Sequence, residues 1–421
     1  MSDEDTNAGG TDAGGTNGQD TDATGGDARG GDAAGSDGQD AAAAGTDDGG
    51  ADRQERWTAA WRKAPRALSR SPREPGIGEL LEHLAGLDHD PDRPVDLYGD
   101  GVVADLERRV AELLGTEDAA FFPTGTMAQQ VALRCWAGRT GNPLVALHPL
   151  SHPEMWEGGA LSAVSGLRTT HPTRERRQPS AEEVRDLPEP FGTLMVELPL
   201  RDAGFVLPSW EELEELVEAA REREAVVHFD GARLWETTVH FGRPLPEIAA
   251  LADSVYVSLY KSLGGLSGAA LAGPRGFVEE TRVWRHRYGG QVVQQFPQAL
   301  SALAGLDREL PRLPSYVAQA RVVAEALAAG LAEEGVPWFA VHPEVPHTHQ
   351  FQVWLPYDAD VLTEASVRQA EETGTALFRV WSPEGPPGLA MTEVTVTGPG
   401  LSWTADDVAA AVADFVSRVG A

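Results

Sequence analysis

From Glu107 to Ser258 the chain alternates between short apolar runs and amphipathic stretches of helical period, and this alternation constrains the fold more than any other feature. The runs at residues 119–122, 144–147, 193–198, 225–229 and 254–257 have the length and apolar content of fully buried strands. Thr124-Gly125-Thr126 opens a helical stretch that reaches about Trp136. Ser209 opens another that reaches about Arg223, and Glu212, three positions on, completes a capping box. Strands that alternate with helices are joined by crossovers, so the expected architecture is α/β, a mostly parallel sheet with helices on both faces. After Gly273 the pattern turns helical. A long Ala-, Leu- and Val-rich helix over residues 311–334 leads into a smaller C-terminal α/β domain. Its strands are expected near residues 350–355, 375–381 and 392–396, and its helices near residues 362–372 and 404–419.

The N-terminus is of another kind. Residues 1–50 are built almost entirely from Gly, Asp, Ala, Thr, Ser, Asn and Gln, without an aromatic side chain. Such a segment cannot bury enough apolar surface to offset its ordering entropy, and the expectation is a disordered, solvated spacer. It holds twelve acidic residues and one arginine, so it carries −11 of the net −31 and leaves −20 for the remainder. That balance argues against nucleic acid and anionic membrane as partners. The expected division is a tail at 1–54, a large domain at 55–310 and a small domain at 311–421. A single cysteine, Cys135, excludes an internal disulfide and reads as a small core residue. No apolar run is long enough for a membrane span, and no secretory segment opens the chain, so the cytoplasm is the expected compartment.

A parallel α/β sheet presents ligands at the carboxyl ends of its strands. Three features fall there. Asp230 follows the run ending at Phe229, Lys261 lies just beyond Ser258 in a loop continuing Ser262-Leu263-Gly264-Gly265, and Gly125 and Thr126 begin a helix after Phe122. They offer a buried carboxylate, an amine and a set of backbone N–H groups. Pyridoxal phosphate needs each of these: N–H donors for its phosphate, an amine for its aldehyde, and a carboxylate that keeps its pyridine nitrogen protonated. Many α/β enzymes carry an Asp or Lys at strand ends, so by position alone Lys261 is equally an ordinary loop lysine and Asp230 a helix cap.

The order of the motifs adds to this. Tyr98-Gly99-Asp100 is followed by Phe122-Pro123-Thr124-Gly125-Thr126-Met127-Ala128, then by His152 with Glu157-Gly158-Gly159. Next come His228-Phe229-Asp230-Gly231-Ala232-Arg233-Leu234-Trp235 and Ser258-Leu259-Tyr260-Lys261-Ser262-Leu263-Gly264, and last Trp284-Arg285-His286-Arg287-Tyr288-Gly289-Gly290. In this series, over about residues 97–300, the chain resembles the threonine aldolase family, the β-eliminating lyase group of fold-type I pyridoxal-phosphate enzymes. The resemblance implies that Lys261 is the Schiff-base lysine and Asp230 the partner of the pyridine nitrogen. It implies that Gly125, Thr126 and Ser258 hold the phosphate, and that His152 stacks on the ring. It implies that Arg233 binds the substrate carboxylate, and that Tyr98 lines the pocket from a neighbouring subunit of a homodimer or homotetramer. The implied reaction is carbon–carbon lysis of a β-hydroxy-α-amino acid to glycine and an aldehyde, with His152 as the candidate base for the β-hydroxyl. The alternatives are β-elimination or transamination of an amino acid, or cofactor binding with little turnover.

The departures bear on the substrate. Pro199-Leu200-Arg201 stands where family members carry Thr-His-Asn. The arginine that follows the Gly-Gly turn is replaced near Val293, and the C-terminal arginine expected around Met391 to Glu393 is absent. Arg201 is a candidate carboxylate binder or an ordinary surface residue. His342, His347 and His349 lack a carboxylate or cysteine at ligand spacing, so no metal is expected.

Overall fold

A computed structural model describes residues 48–70 and 75–420, so the expected acidic tail lies, as far as residue 47, outside the described residues. Among the described residues, seven strands form the larger sheet: β1 (Asp118–Phe122), β2 (Leu144–Ala146), β3 (Arg168–Thr170), β4 (Thr193–Glu197), β5 (Val226–Gly231), β6 (Ser254–Ser258) and β7 (Ala269–Gly273). Their order is β1-β7-β6-β5-β4-β2-β3. All neighbours run parallel except β7, which is antiparallel to both β1 and β6. Strand β7 was not anticipated. Its sequence, Ala-Ala-Leu-Ala-Gly, has little β propensity, and burial on both faces between two neighbours makes it a strand.

The sheet is covered on both sides because successive side chains of a strand point to opposite faces. Val255 and Val257 join the apolar cluster of one face, and Tyr256 that of the other. Helix α1 (Gly125–Thr140) covers the Tyr256 face with Val131, Ala132, Cys135 and Trp136. Cys135 is thus a core residue, and burial raises its thiol pKa. Helix α2 (Trp210–Glu222) covers the opposite face with Leu213, Leu216 and Val217, and Ser209 and Glu212 form the expected capping box.

A four-stranded antiparallel sheet follows, from β8 (Ala340–His342), β9 (Gln350–Leu355), β10 (Ser382–Pro383) and β11 (Ala390–Thr395), in the order β10-β11-β9-β8. It packs with α3 (Leu313–Glu333), α4 (Ala359–Thr373) and α5 (Ala405–Val419) around Phe351, Leu327, Phe378, Trp381 and Phe415. The strand expected over residues 375–381 forms only at Thr375–Ala376, which pairs with Arg66–Ala67. Beyond it the backbone finds side chains instead of a ladder. The Trp381 N–H donates to Thr363 Oγ1 at 3.0 Å, and the Val380 carbonyl accepts from Thr392 Oγ1 at 2.8 Å.

The expected boundaries need correction at the N-terminal side. Residues 48–54, read as the end of the tail, are the first turns of a helix over Asp48–Lys63. That helix does not join the larger sheet, although residues 55–67 were assigned to its domain. Trp57, Ala60, Trp61 and Ala64 form one stripe at helical spacing, and the stripe packs on Val367 and Ala370 of α4 and on Val380. Arg56 reinforces the contact, 2.9 Å from Glu364 and 2.7 Å from Glu371.

Candidate active site

Three strands of the larger sheet end side by side, and two carboxylates stand at or next to their carboxyl ends. Glu197 at the end of β4 is in register with Asp230 on β5, and Asp230 with Tyr256 on β6. Asp230 is 1% exposed. Its Oδ1 accepts the Ala232 N–H at 3.1 Å, so the local cap and the strand-end position are one arrangement. Burial raises Asp230 above the ordinary carboxylate range, and the charge of Lys261 opposes the shift.

Lys261 sits in the tight turn after β6. The turn is closed by Gly264 N–H donating to the Lys261 carbonyl and Gly265 N–H to the Leu259 carbonyl. A Cβ on Gly265 would lie 2.5 Å from that Leu259 oxygen, so the turn requires glycine. Burial, followed by the neighbouring Arg233 guanidinium, lowers the Lys261 ammonium to about 8, against the pull of Asp230. Lys261 also lines a cavity of about 610 Å³ between the two sheets, together with Tyr260, His349, Arg379 and Glu393.

The start of α1 packs on Tyr256 of β6. Thr124 caps it, with Oγ1 accepting the Met127 N–H at 3.2 Å. At Gly125 a Cβ would lie 2.2 Å from the Tyr256 hydroxyl, which leaves no room for a side chain. Thr126 is exposed, and its hydroxyl bonds the Glu157 carboxylate. Glu157 in turn lies 3.2 Å from His152 Nδ1 and accepts from Gln130 Nε2 at 3.2 Å. The His152 backbone N–H donates to Glu197 Oε2 at 2.7 Å. Two carboxylates thus hold His152, one by its ring and one by its backbone. Burial lifts Glu157 to about 7. Burial and the positive charge of Lys261 keep His152 well below its usual pKa, so the ring is neutral at pH 7.

The remaining expected residues divide. Ser258 is buried at the end of β6, where its carbonyl accepts the Trp235 indole N–H at 2.8 Å and its hydroxyl faces the Tyr260 N–H at 3.5 Å. Arg233 is buried with its guanidinium 5.2 Å from the Phe205 ring centre, within electrostatic reach of Lys261. Arg201 is not a surface residue. It is buried, with Nε 3.0 Å from Glu393 Oε1 and Nη2 3.1 Å from Oε2. Tyr98 is not brought to this site within the chain. It is half exposed at φ 56°, on a groove shared with Arg282, Arg285 and Gln291. The three histidines are held separately: His342 by the Ala203 carbonyl, His347 by the Leu207 N–H, and His349 by Glu236 at 3.6 Å.

Glu197, Glu393 and Arg379 were not expected at the site. The signal for the first two was a lone acid in a strand otherwise without charge, in Thr-Leu-Met-Val-Glu and Ala-Met-Thr-Glu-Val-Thr. Such an acid is buried only with partners. Arg379 left no local signal, because it lies in irregular backbone and donates to the Ser69 carbonyl from far along the chain.

Known proteins resemble this chain in sequence and fold. Residues 94–350 match the family model for Beta-eliminating lyase. The low specificity L-threonine aldolase of Escherichia coli is 32% identical over 240 residues, which is 55% of this chain and 71% of that protein. A crystal structure of a candidate L-allo-threonine aldolase from Listeria monocytogenes is 34% identical, covers 86% of this chain and 99% of its own, and superposes with a TM-score of 0.78. A structure of SPT with PLP, 19% identical over 82% of this chain and 84% of its own, shares the fold with a TM-score of 0.59. With well over half its length matched by the family model, the chain belongs to the β-eliminating lyase family, lyases of the fold-type I pyridoxal-phosphate architecture.

Proposed function

We propose that this protein cleaves a β-hydroxy-α-amino acid to glycine and an aldehyde with pyridoxal phosphate as cofactor. The observation that carries the reading is the convergence of Lys261, Asp230 and the glycine-lined start of α1 at the carboxyl end of one sheet. The residues fit the cofactor. An amine lowered to about 8 has a neutral fraction at physiological pH for bonding a carbonyl. A carboxylate destabilised by burial gains from a proton held on a pyridine nitrogen. The start of α1 offers backbone N–H groups without an intrahelical partner, which suit a phosphate.

When bound, the cofactor supplies an electron sink for the bond that breaks. The protein's part is positioning and proton transfer. Lys261 attaches the cofactor, and Asp230 holds the proton at its ring nitrogen. Gly125, Thr126 and Ser258 bind the phosphate. Arg233 orients the α-carboxylate so that the Cα–Cβ bond stands across the ring. His152, neutral and with Nδ1 committed to Glu157, keeps Nε2 as an acceptor for the β-hydroxyl proton as the Cα–Cβ bond breaks. The L-threonine aldolase name of the Escherichia coli relative supports this reaction class.

The test is product analysis with purified holoenzyme and a panel of β-hydroxy amino acids. Glycine and aldehyde in equal amounts are expected, with loss of both in Lys261→Ala. A keto acid with ammonia would instead assign β-elimination, and a keto acid with aminated cofactor would assign transamination.

A further inference from the structure

We propose that Glu393 is a specificity-determining residue: by occupying the Arg201 guanidinium it excludes substrates whose β-substituent carries a second carboxylate. The proposal rests on the aldolase reading above. Glu393 lies on β11, is 4% exposed, and lines the cavity that Lys261 lines; Arg201 is not among the lining residues. The acid therefore meets the cavity while it binds the arginine.

Arg201 is held in place independently of Glu393. Its backbone N–H donates to Glu197 Oε1 at 3.3 Å, and its carbonyl accepts the N–H groups of Gly204 and Phe205 at 2.8 and 3.1 Å. Its guanidinium lies 5.5 Å from the Trp156 ring centre. A guanidinium fork on a well-anchored backbone suits a carboxylate. Here the protein supplies that carboxylate. Nε and Nη2 of Arg201 both reach Glu393, at 3.0 to 3.4 Å. Arg233 also attracts Glu393, so the acid is balanced from two sides.

An incoming second carboxylate has two options, and both are unfavourable. It can lie against Glu393 and meet like charge at low dielectric. It can displace Glu393 from Arg201 and leave a buried acid without its ion pair. A methyl or other neutral β-substituent meets neither obstacle. Selectivity then arises from repulsion of the wrong substrate more than from attraction of the right one.

The experiment compares threonine with 3-hydroxyaspartate in the holoenzyme, as the ratio of their kcat/KM values. The wild type should favour threonine at least tenfold. Glu393→Gln should raise the relative value for 3-hydroxyaspartate at least tenfold, and Glu393→Gln with Arg201→Gln should remove that gain. An unchanged ratio in Glu393→Gln overturns the proposal. So does a wild type that cleaves both equally well, a result that needs no variant to fold. Calorimetric binding of aspartate against 2-aminobutyrate gives a second readout without turnover, and the same tenfold shift is expected. If no β-hydroxy amino acid yields an aldehyde, the aldolase reading fails while the binding ratio still decides the role of Glu393.

Discussion

The carboxylate of Glu393 lies 3.0 Å from Nε of Arg201, across 192 positions of sequence, and joins β11 to the turn after β4. Both residues stand where the sequence reads as a departure from the family pattern, one in Pro199-Leu200-Arg201 and the other where the resemblance implies a C-terminal arginine. The two departures are halves of one buried ion pair. Loss of either leaves the surviving partner a buried charge with less compensation than the pair provides. Arg201→Met should therefore destabilise the fold by about 3–5 kcal/mol. Arg201→Met with Glu393→Met should recover most of that loss, since an apolar pair of similar volume is often neutral or better. Urea unfolding of the wild type, both single variants and the double variant measures the coupling. Additive losses would mean that the pair is not coupled.

Legibility in the sequence followed the range of the forces involved. The strands β4, β5 and β6 were readable because each is a compact apolar run, and burial on both faces writes itself locally. Asp230 and Lys261 were readable because they sit where such runs stop. Strand β7 was not, since its alanines mark only that two neighbours press on it. The helix Asp48–Lys63 showed a clear apolar stripe, yet nothing in the stripe says that its partner is Val367 rather than the larger sheet. The pairing of Arg201 with Glu393 was hidden for the same reason: a long-range ion pair leaves a lone charge at each end and no pattern linking them.

Lys261 should be distinguishable from Lys63 by its reactivity toward acylation, and these are the chain's two lysines. Only the neutral amine reacts. With its pKa lowered to about 8, Lys261 in cofactor-free protein should label about tenfold faster per pH unit up to about pH 8, and little faster above. Peptide mapping of trace-labelled protein across pH 6 to 11 reads this directly. A Lys261 profile still rising at pH 10 would contradict the charge environment set by burial and Arg233.

Gly125 is fixed by the Tyr256 hydroxyl, so the two positions should show a strong interaction. In Gly125→Ala the new Cβ would lie 2.2 Å from that hydroxyl and 3.1 Å from the ring carbon that bears it. Relief requires the helix start or the tyrosine to move. The expected effects are a loss of about 1–3 kcal/mol in stability and weaker binding of pyridoxal phosphate. Adding Tyr256→Phe removes the nearer contact and leaves the 3.1 Å one, so it should restore part of both. Equal stability and cofactor affinity in Gly125→Ala and wild type would show that the helix start has room to spare.

Acid stability should carry the signature of His228. Its ring is fully buried on β5. Gln129 Oε1 can only accept, so the ring proton sits on the nitrogen facing it, and Ser254 Oγ, which accepts the Trp136 indole N–H at 2.7 Å, donates its own proton to His228 Nδ1, also at 2.7 Å. Nε2 is then the protonated nitrogen and donates to Gln129 Oε1 at 3.0 Å. This network suits the neutral ring, and burial lowers the pKa to about 3. The unfolded value is about 6.5, so between these pH values the unfolded chain binds the extra proton. Stability attributable to His228 is therefore intact above pH 6.5 and is lost as pH falls toward 3. The loss is about 1.4 kcal/mol per pH unit, or roughly 2 kcal/mol between pH 6.5 and 5. Glu157 and Glu197 act in the opposite sense. Burial raises them to about 7 and about 8, so they bind protons in the folded state first and add stability as pH falls toward 4.5. A direct melt shows only the sum, but a difference between two proteins isolates the histidine. His228→Gln keeps a polar side chain and removes the titration. Its unfolding free energy should fall by roughly 2 kcal/mol less than that of the wild type between pH 6.5 and 5. Parallel curves for the two proteins would mean that His228 carries its proton in the folded state, and would overturn the tautomer assigned through Gln129.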